Sequence, residues 1–340
     1  MSRATTRSVV TGGAGFIGSH LVELLLQRGD EVIVLDDLST GKASNLAAVD
    51  DHPRLEKHRG SVTDPATVRG ATRGADRVYH LAAAVGVNLI VDSPLSSLRT
   101  NIHGTEVVLE AARETGADVL LASTSEVYGK NTADRLHEDS DRILGSPLLS
   151  RWTYSAAKGI DEAFAHAYWN ELGLPVTIIR LFNTCGPRQT GRYGMVVPRL
   201  VGQALRGEPL TVYGDGRQTR CFSYVGDVVP AMVALAENKQ SKGQAFNLGG
   251  AEEVSMLDLA DRILAVTGSS SPVVLVPYEE AYSAGYEDMR RRVPDNTRSH
   301  RLVGYVPSTP LDTMIRHVAE DLAASGTPSS ASAMAEIPVS

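Results

Sequence analysis

A short apolar run, Val9–Val10, passes directly into Thr11-Gly12-Gly13-Ala14-Gly15-Phe16-Ile17-Gly18, and Phe16–Arg28 then shows the apolar spacing of a helix. Glycines spaced by three between a strand and a helix leave few folds open. Gly12 permits a tight turn, Gly15 lets backbone approach a pyrophosphate, and Gly18 lets helix and strand pack closely. The helix start offers unpaired N–H donors and the positive end of its dipole to phosphate oxygens. The next strand, Glu31–Leu35, runs into Asp36-Asp37, about twenty residues on, where a carboxylate accepts hydrogen bonds from an adenosine ribose. The same carboxylate repels a 2′-phosphate. The turn therefore predicts a bound dinucleotide, and NAD rather than NADP.

The alternation continues. Arg77–Leu81, Val119–Ala122 and Val176–Arg180 read as strands, separated by helical Leu98–Thr115 and Trp152–Leu172. Strand–helix alternation of this kind predicts an α/β protein with a Rossmann doubly wound parallel sheet. From Thr184 to about Cys221 the chain turns rich in Gly, Pro and Arg, with one helical piece near Val197–Arg206. Ser223–Glu237 and Ala245–Leu248 then read as a helix and strand returning to the main sheet, and Met256–Thr267 and Leu311–Ala324 as later helices. The expected organisation is an NAD-binding domain from residues 1–183 and 222–249. A smaller C-terminal α/β substrate domain takes residues 184–221 and 250–324. The Ser/Ala/Pro-rich residues 325–340 read as a disordered tail.

Charge and cysteine content narrow the setting. A net charge of −7 over 340 residues argues against a broad nucleic-acid or anionic-membrane surface, though not against arginines in a cleft. Two cysteines, Cys185 and Cys221, make no disulfide framework and point to the cytoplasm. No signal-peptide core or membrane-length apolar run is present. His80 and His166 fall on strand and helix faces without metal-ligand spacing, so packing roles and no metal are expected.

Chemistry enters at two further places. Ser123-Thr124-Ser125-Glu126 ends a strand, and Tyr154-Ser155-Ala156-Ala157-Lys158 begins a helix on which Tyr154 and Lys158 share a face. A nearby ammonium lowers a tyrosine's pKa, so the phenolate can act as a base near neutrality. Thr124 would hydrogen-bond and align the substrate oxygen.

These segments resemble the extended short-chain dehydrogenase/reductase family. The resemblance runs from Thr11 to about Tyr305, through His80-Leu81-Ala82-Ala83-Ala84, Ser123–Gly129, Tyr154–Lys158, Phe182-Asn183-Thr184, Gly186-Pro187-Arg188 and Val212-Tyr213-Gly214-Asp215-Gly216. It implies an enzyme that holds NAD tightly and acts on a UDP-sugar. Catalytic roles fall to Thr124, Tyr154 and Lys158 with Ser125 and Glu126. Around the cofactor it places Gly12, Gly15, Phe16, Ile17, Asp36, Asp37, Ser39, Ser61, Val62, Leu81, Ala82 and Ala83, beside Tyr154 and Lys158. Gly60 is followed by Ser61-Val62 where the family often has an Asp touching adenine, so that contact is weakened or left to backbone. Toward the substrate, Asn183 would meet phosphate, Arg220 the pyrophosphate and Tyr213 the uracil. Asp288 and Arg292 would close over ribose and diphosphate, with Val87, Thr124, Ser125, Thr184, Arg192 and Val197 lining the remainder. The family also implies a homodimer through Leu98–Thr115 and Trp152–Leu172, whose small residues Ala156, Ala163 and Ala167 suit close helix approach.

The reaction turns on a 4-keto sugar. Ser125-Glu126 replaces the Asp-Glu pair of thymidine-diphospho-glucose 4,6-dehydratases. UDP-glucuronate decarboxylases share Ser-Thr-Ser-Glu-Val-Tyr-Gly, but Ala83-Ala84-Val85-Gly86-Val87 is nearer the loop of UDP-glucuronate 4-epimerases. Arg192 stands where those epimerases hold a carboxylate, with Thr184 helping to keep a 4-ketouronate from losing CO₂. The expectation is interconversion of UDP-glucuronate and UDP-galacturonate, most like epimerases of moenomycin-type antibiotic pathways. UDP-glucuronate decarboxylation, neutral UDP-glucose 4-epimerisation and a non-catalytic NAD sensor stay open.

Overall fold

The computed structural model describes residues 5–84, 94–191, 195–281 and 289–326. β1 (Arg7–Thr11), α1 (Phe16–Gln27) and β2 (Glu31–Asp36) are followed by β3 (Leu55–Arg59), α2 (Pro65–Thr72) and β4 (Arg77–His80). The interiors of β1 and β2 are Val, Ile and Leu, buried as strands covered by helices on both sides must be. Helix α2 begins where the sequence says it should: the Asp64 carboxylate accepts from the N–H groups of Ala66 and Thr67, and Pro65 opens the first turn.

The helix read from Leu98 to Thr115 is jointed. α3 (Pro94–Leu98) passes through a π turn, Arg99–His103, into α4 (Gly104–Thr115). The joint turns Asn101 inward, where its amide pairs with both the N–H and the C=O of Ala84 at 2.8 and 3.2 Å. β5 (Asp118–Thr124), α5 (Thr153–Leu172) and β6 (Val176–Leu181) complete the regular half. Gly116 and Gly173, at φ +72° and +70°, stop α4 and α5 in the left-handed region.

Shorter elements follow: β7 (Thr184–Cys185), α6 (Val196–Leu205), β8 (Leu210–Tyr213), β9 (Thr219–Cys221), β10 (Ser223–Tyr224) and α7 (Val225–Glu237). Then come β11 (Ala245–Leu248), β12 (Glu253–Ser255), α8 (Met256–Thr267), β13 (Val273–Val276), α9 (Tyr278–Ala281), β14 (Arg291–Arg292), α10 (Thr297–Val303) and α11 (Leu311–Ala324).

Seven strands form one parallel sheet in the order β3-β2-β1-β4-β5-β6-β11. The order reverses between β1 and β4, and in such sheets ligands bind in the crevice at the strands' carboxyl ends beside that point. One face is covered by α1 and α7 over Val10, Val34, Phe246 and Leu248. The other is covered by α2, α4 and α5 over Val9, Ile33, Val78 and Leu121. A third apolar core, around Leu200, Leu210, Leu259, Ile263 and Ile315, lies among α6, α8 and α11. Its small sheets are β7–β10, β8–β13 and β12–β9–β14. Among the described residues no helix is long and apolar enough to cross a membrane.

Candidate active site

The glycine turn is tighter than its spacing alone conveys. Gly12 has φ +71°, and a Cβ there would lie 2.8 Å from the amide nitrogen of Ala82. A Cβ on Gly18 would come within 2.1 Å of the Gly12 carbonyl oxygen, so this glycine packs the helix against the turn itself. A Cβ on Gly15 would meet only the Gly12 carbonyl oxygen, at 3.0 Å, and Gly15 caps α1 without any side-chain hydrogen bond. Here is an uncapped helix start with an open approach, the chemistry a pyrophosphate needs. Asp36 leans onto the same turn: its carboxylate accepts from Ala14 N–H at 2.9 Å and from Leu38 N–H at 2.8 Å. Burial raises its pKa, while the two N–H bonds oppose that rise. Asp37 accepts from Ser39 N–H at 2.9 Å. These residues fit a dinucleotide.

The remaining residues expected near the cofactor are spread along the same strand ends. Phe16 stands edge-on to His20 at 5.9 Å, and Ile17 and Leu81 pack on the core beneath α1. Ser61 bonds Thr63 at 2.9 Å, and Val62 is buried in the opposite core. Ala82 N–H donates to Thr11 Oγ1 at 3.2 Å, and Ala83 follows it.

Tyr154 and Lys158 lie on α5, whose buried positions include 154, 157, 158, 161, 162 and 165. An ordinary helix puts apolar side chains on such a stripe. Here Tyr154, Lys158, Asp161 and Glu162 occupy it. Lys158 Nζ is 3.1 Å from Asp161 Oδ2, with both side chains almost wholly buried. Burial pushes the Tyr154 pKa above its ordinary value, and the Glu126 and Asp161 carboxylates push it further up.

Thr124 closes β5 and caps a short 3₁₀ turn, Ser125–Tyr128, by accepting from Glu126 N–H at 3.2 Å. The cap turns Glu126 inward between two guanidiniums. Arg151 grips it with Nη1 at 2.6 Å and Nη2 at 3.3 Å, and Arg292 Nη1 reaches it at 3.1 Å. Burial alone would raise the Glu126 pKa, but the Arg151 and Arg292 charges outweigh it and hold the pKa at about 2. Arg292 also donates to Ser125 Oγ at 3.2 Å and to Asn183 Oδ1 at 3.3 Å. Within the run Arg290-Arg291-Arg292 the roles divide: Arg291 pairs with Glu253 at the surface, while Arg292 is buried against Glu126.

Arg220 stands opposite Arg292 in the register of β9 and β14. Asn183, at φ +36°, donates to the Cys221 carbonyl at 3.0 Å, and Thr184 faces Ser223 at 3.3 Å. Tyr213 lies beneath the Arg199 guanidinium at 4.2 Å, and Val197 is packed into the third core. Val87, Arg192 and Asp288 lie outside the described residues. Arg151, Asp161, Thr105 and Asn101 were not singled out from sequence. A polar side chain on the buried stripe of an amphipathic helix would have pointed to the last three.

A parallel sheet with this reversal, a glycine turn bonded to Asp36, and a threonine ending β5 beside a helix that carries Tyr154 and Lys158 define a nicotinamide-dinucleotide enzyme of the short-chain dehydrogenase/reductase type. The chain belongs to the NAD dependent epimerase/dehydratase family, whose model matches residues 8–249, and NAD is its cofactor. It is 40% identical to UDP-N-acetyl-alpha-D-glucosaminuronate decarboxylase of Bacillus cytotoxicus, over 89% of this chain and 93% of that one. It is 38% identical to UDP-glucuronic acid decarboxylase 1 of Arabidopsis thaliana, over 92% of this chain and 68% of the relative. Among solved structures, UDP-glucuronic acid 4-epimerase from Bacillus cereus, with UDP-glucuronic acid and NAD, superposes with a TM-score of 0.84. Its identity is 29%, covering 94% of this chain and 99% of that one.

These relatives overturn the expected 4-epimerisation: the sequences 35–40% identical over most of the chain are decarboxylases. The expectation had leaned on the loop at 83–87 and on Arg192, and residues 85–87 and 192 lie outside the described residues. The antibiotic-pathway association gains no support from these relatives.

Proposed function

We propose that the chain catalyses NAD-dependent decarboxylation of a UDP-hexuronate, giving a UDP-pentose. The observation that carries this reading is the identity of 35–40% with UDP-uronate decarboxylases over most of the chain. The charge arrangement supports it. Arg151, Arg292 and Arg220 all act on the carboxylate of Glu126, so three guanidiniums gather where an anionic substrate would bind. A guanidinium fork suits a carboxylate or a phosphate.

Bound NAD supplies the hydride acceptor for sugar C4 and the donor that returns the hydride. Tyr154 takes the C4 hydroxyl proton as Thr124 holds the oxygen. The resulting β-keto acid breaks its C5–carboxylate bond, CO₂ leaves, and the bonding pair passes into the C4–C5 enolate. C5 then takes a proton from solvent water, leaving hydroxide to the medium, C4 regains hydride, and Tyr154 returns its proton to the oxygen. Arg292, exchanging Glu126 for substrate, orients the carboxylate, while Arg151 keeps Glu126 ionised and in place. The small sheets and third core form the nucleotide-sugar half, built from residues 184–221 and 250–324. The working form is a cytoplasmic homodimer joined through α4 and α5.

Incubation with UDP-glucuronate and, separately, UDP-N-acetylglucosaminuronate, followed by NMR and CO₂ capture, tests the reading. Stoichiometric CO₂ with a UDP-pentose is expected from at least one of them. UDP-galacturonate as the sole product of the first, without CO₂ from either, would sink it.

A further inference from the structure

Asp161 has no part in the chemistry just described, yet it is fully buried within the catalytic helix. Neither of its carboxylate oxygens makes a well-aligned hydrogen bond. What the carboxylate has is the Lys158 ammonium at 3.1 Å and the Thr105 hydroxyl beside it. A buried anion so sparsely held is costly unless its charge is used.

Behind it runs a line of buried polar groups. His80 Nε2 lies 3.2 Å from Thr105 Oγ1, His80 Nδ1 lies 2.8 Å from Thr11 Oγ1, and Ala82 N–H donates to Thr11 Oγ1 at 3.2 Å. The carboxylate end, together with a neutral imidazole, sets the direction of the bonds. An amide N–H can only donate and a carboxylate can only accept. With the Thr105 hydroxyl turned toward Asp161, His80 donates from Nε2 to Thr105 and accepts at Nδ1 from Thr11, which accepts in turn from Ala82 N–H. This arrangement needs a neutral imidazole, and burial, with the Lys158 charge adding to it, holds the His80 pKa at about 3. The line begins at the residue against which Gly12 is packed and ends on the catalytic lysine.

We propose that Asp161 is a positioning residue: braced by Thr105 and His80, it holds the Lys158 ammonium and sets how much of its charge reaches the Tyr154 hydroxyl. The other charged groups around this cluster are Glu162 on the same helix and Glu126 on the turn after β5, the latter held by Arg151, just before α5, and by Arg292 on β14. Glu162 is bound bidentately to Arg180, and Glu126 to its two arginines, so neither competes for Lys158. The role rests on the decarboxylase reading only for the assay used.

Asp161→Asn removes the charge and keeps the shape, and Asp161→Glu restores the charge. In the Asn variant the acid limb of the pH profile of kcat/KM should move about one unit toward lower pH, as expected when one near charge is removed. The Glu variant should move it back. In cofactor-free protein carrying ¹³Cε-labelled lysine, the Lys158 signal should shift in Asp161→Asn and return in Asp161→Glu. That second measurement needs no substrate, so it stands or falls apart from the assigned reaction. An unmoved Lys158 signal, or a fall in kcat/KM uniform across pH, would overturn the proposal. If Asp161→Asn does not fold, Thr105→Val carries the test, and an unchanged limb and signal there overturn it equally.

Discussion

Glu126 owes its charge to its neighbours. Its pKa is held at about 2, below the ordinary glutamate value, so its ionised form stabilises the fold above about pH 4. As pH falls from there through about 2, that contribution is lost. Acid unfolding of Glu126→Gln, followed by circular dichroism, should lack this part of the pH dependence while the wild-type chain shows it. Arg151→Ala removes the bidentate partner and leaves the buried carboxylate to Arg292 and the charge of Arg220. Removing one partner of a buried pair costs ~3–5 kcal/mol, so chemical denaturation should show a loss of that order. At this scale the sequence was informative about identity and poor about partnership. Thr124, Tyr154, Lys158 and Glu126 stand out by their setting in the chain. The grip of Arg151, or the capture of Lys158 by Asp161, depends on side-chain directions that a linear spacing does not carry.

Elements were legible wherever a local rule held. The glycine turn, the Asp36 strand end and the buried parallel strands follow from backbone sterics and apolar runs. β3 is harder to see, because Leu55-Glu56-Lys57-His58-Arg59 is a charged sheet edge whose polar residues discourage further pairing. The pairs β8–β13 and β9–β14 are held by tertiary register between short segments far apart in sequence, and periodicity has nothing to grip there. The turn itself gives the sharpest test of an element. Gly18→Ala forces a methyl group into the Gly12 carbonyl, so the turn must open. The variant should purify with far less NAD than wild type, read by chromatography of the extracted nucleotide. Retention at the wild-type level would show that the turn can give without losing its ligand.

Across the molecule, bonds between elements far apart in sequence tie the loop after β7 to α1 and α11. Arg188 donates to Glu23 on α1 at 2.6 Å and takes Asp321 of α11 on its backbone N–H at 2.8 Å. His20 on α1 meets the Pro187 carbonyl at 3.1 Å. The loop carrying Pro187 and Arg188 is thus fastened to the helix that follows the glycine turn. On the outer face of α5, Ile160 is 43% exposed, an apolar side chain that a second copy would cover. Light scattering should give about twice 36.3 kDa for the wild-type chain and the single mass for Ile160→Glu. A wild-type mass of one chain would remove the dimer. The fold class was legible at this scale because strand–helix alternation is a property of the whole chain.

The line from Ala82 through Thr11, His80 and Thr105 to Asp161 has a further consequence. It has a closed end. No proton can pass along it toward Ala82, since a backbone amide will not give up its hydrogen, and none can arrive from there. If Tyr154 is the base, a proton it takes finds no drain along this line. The interior behind the catalytic helix then acts, on this path, as an insulating wall and not as a relay.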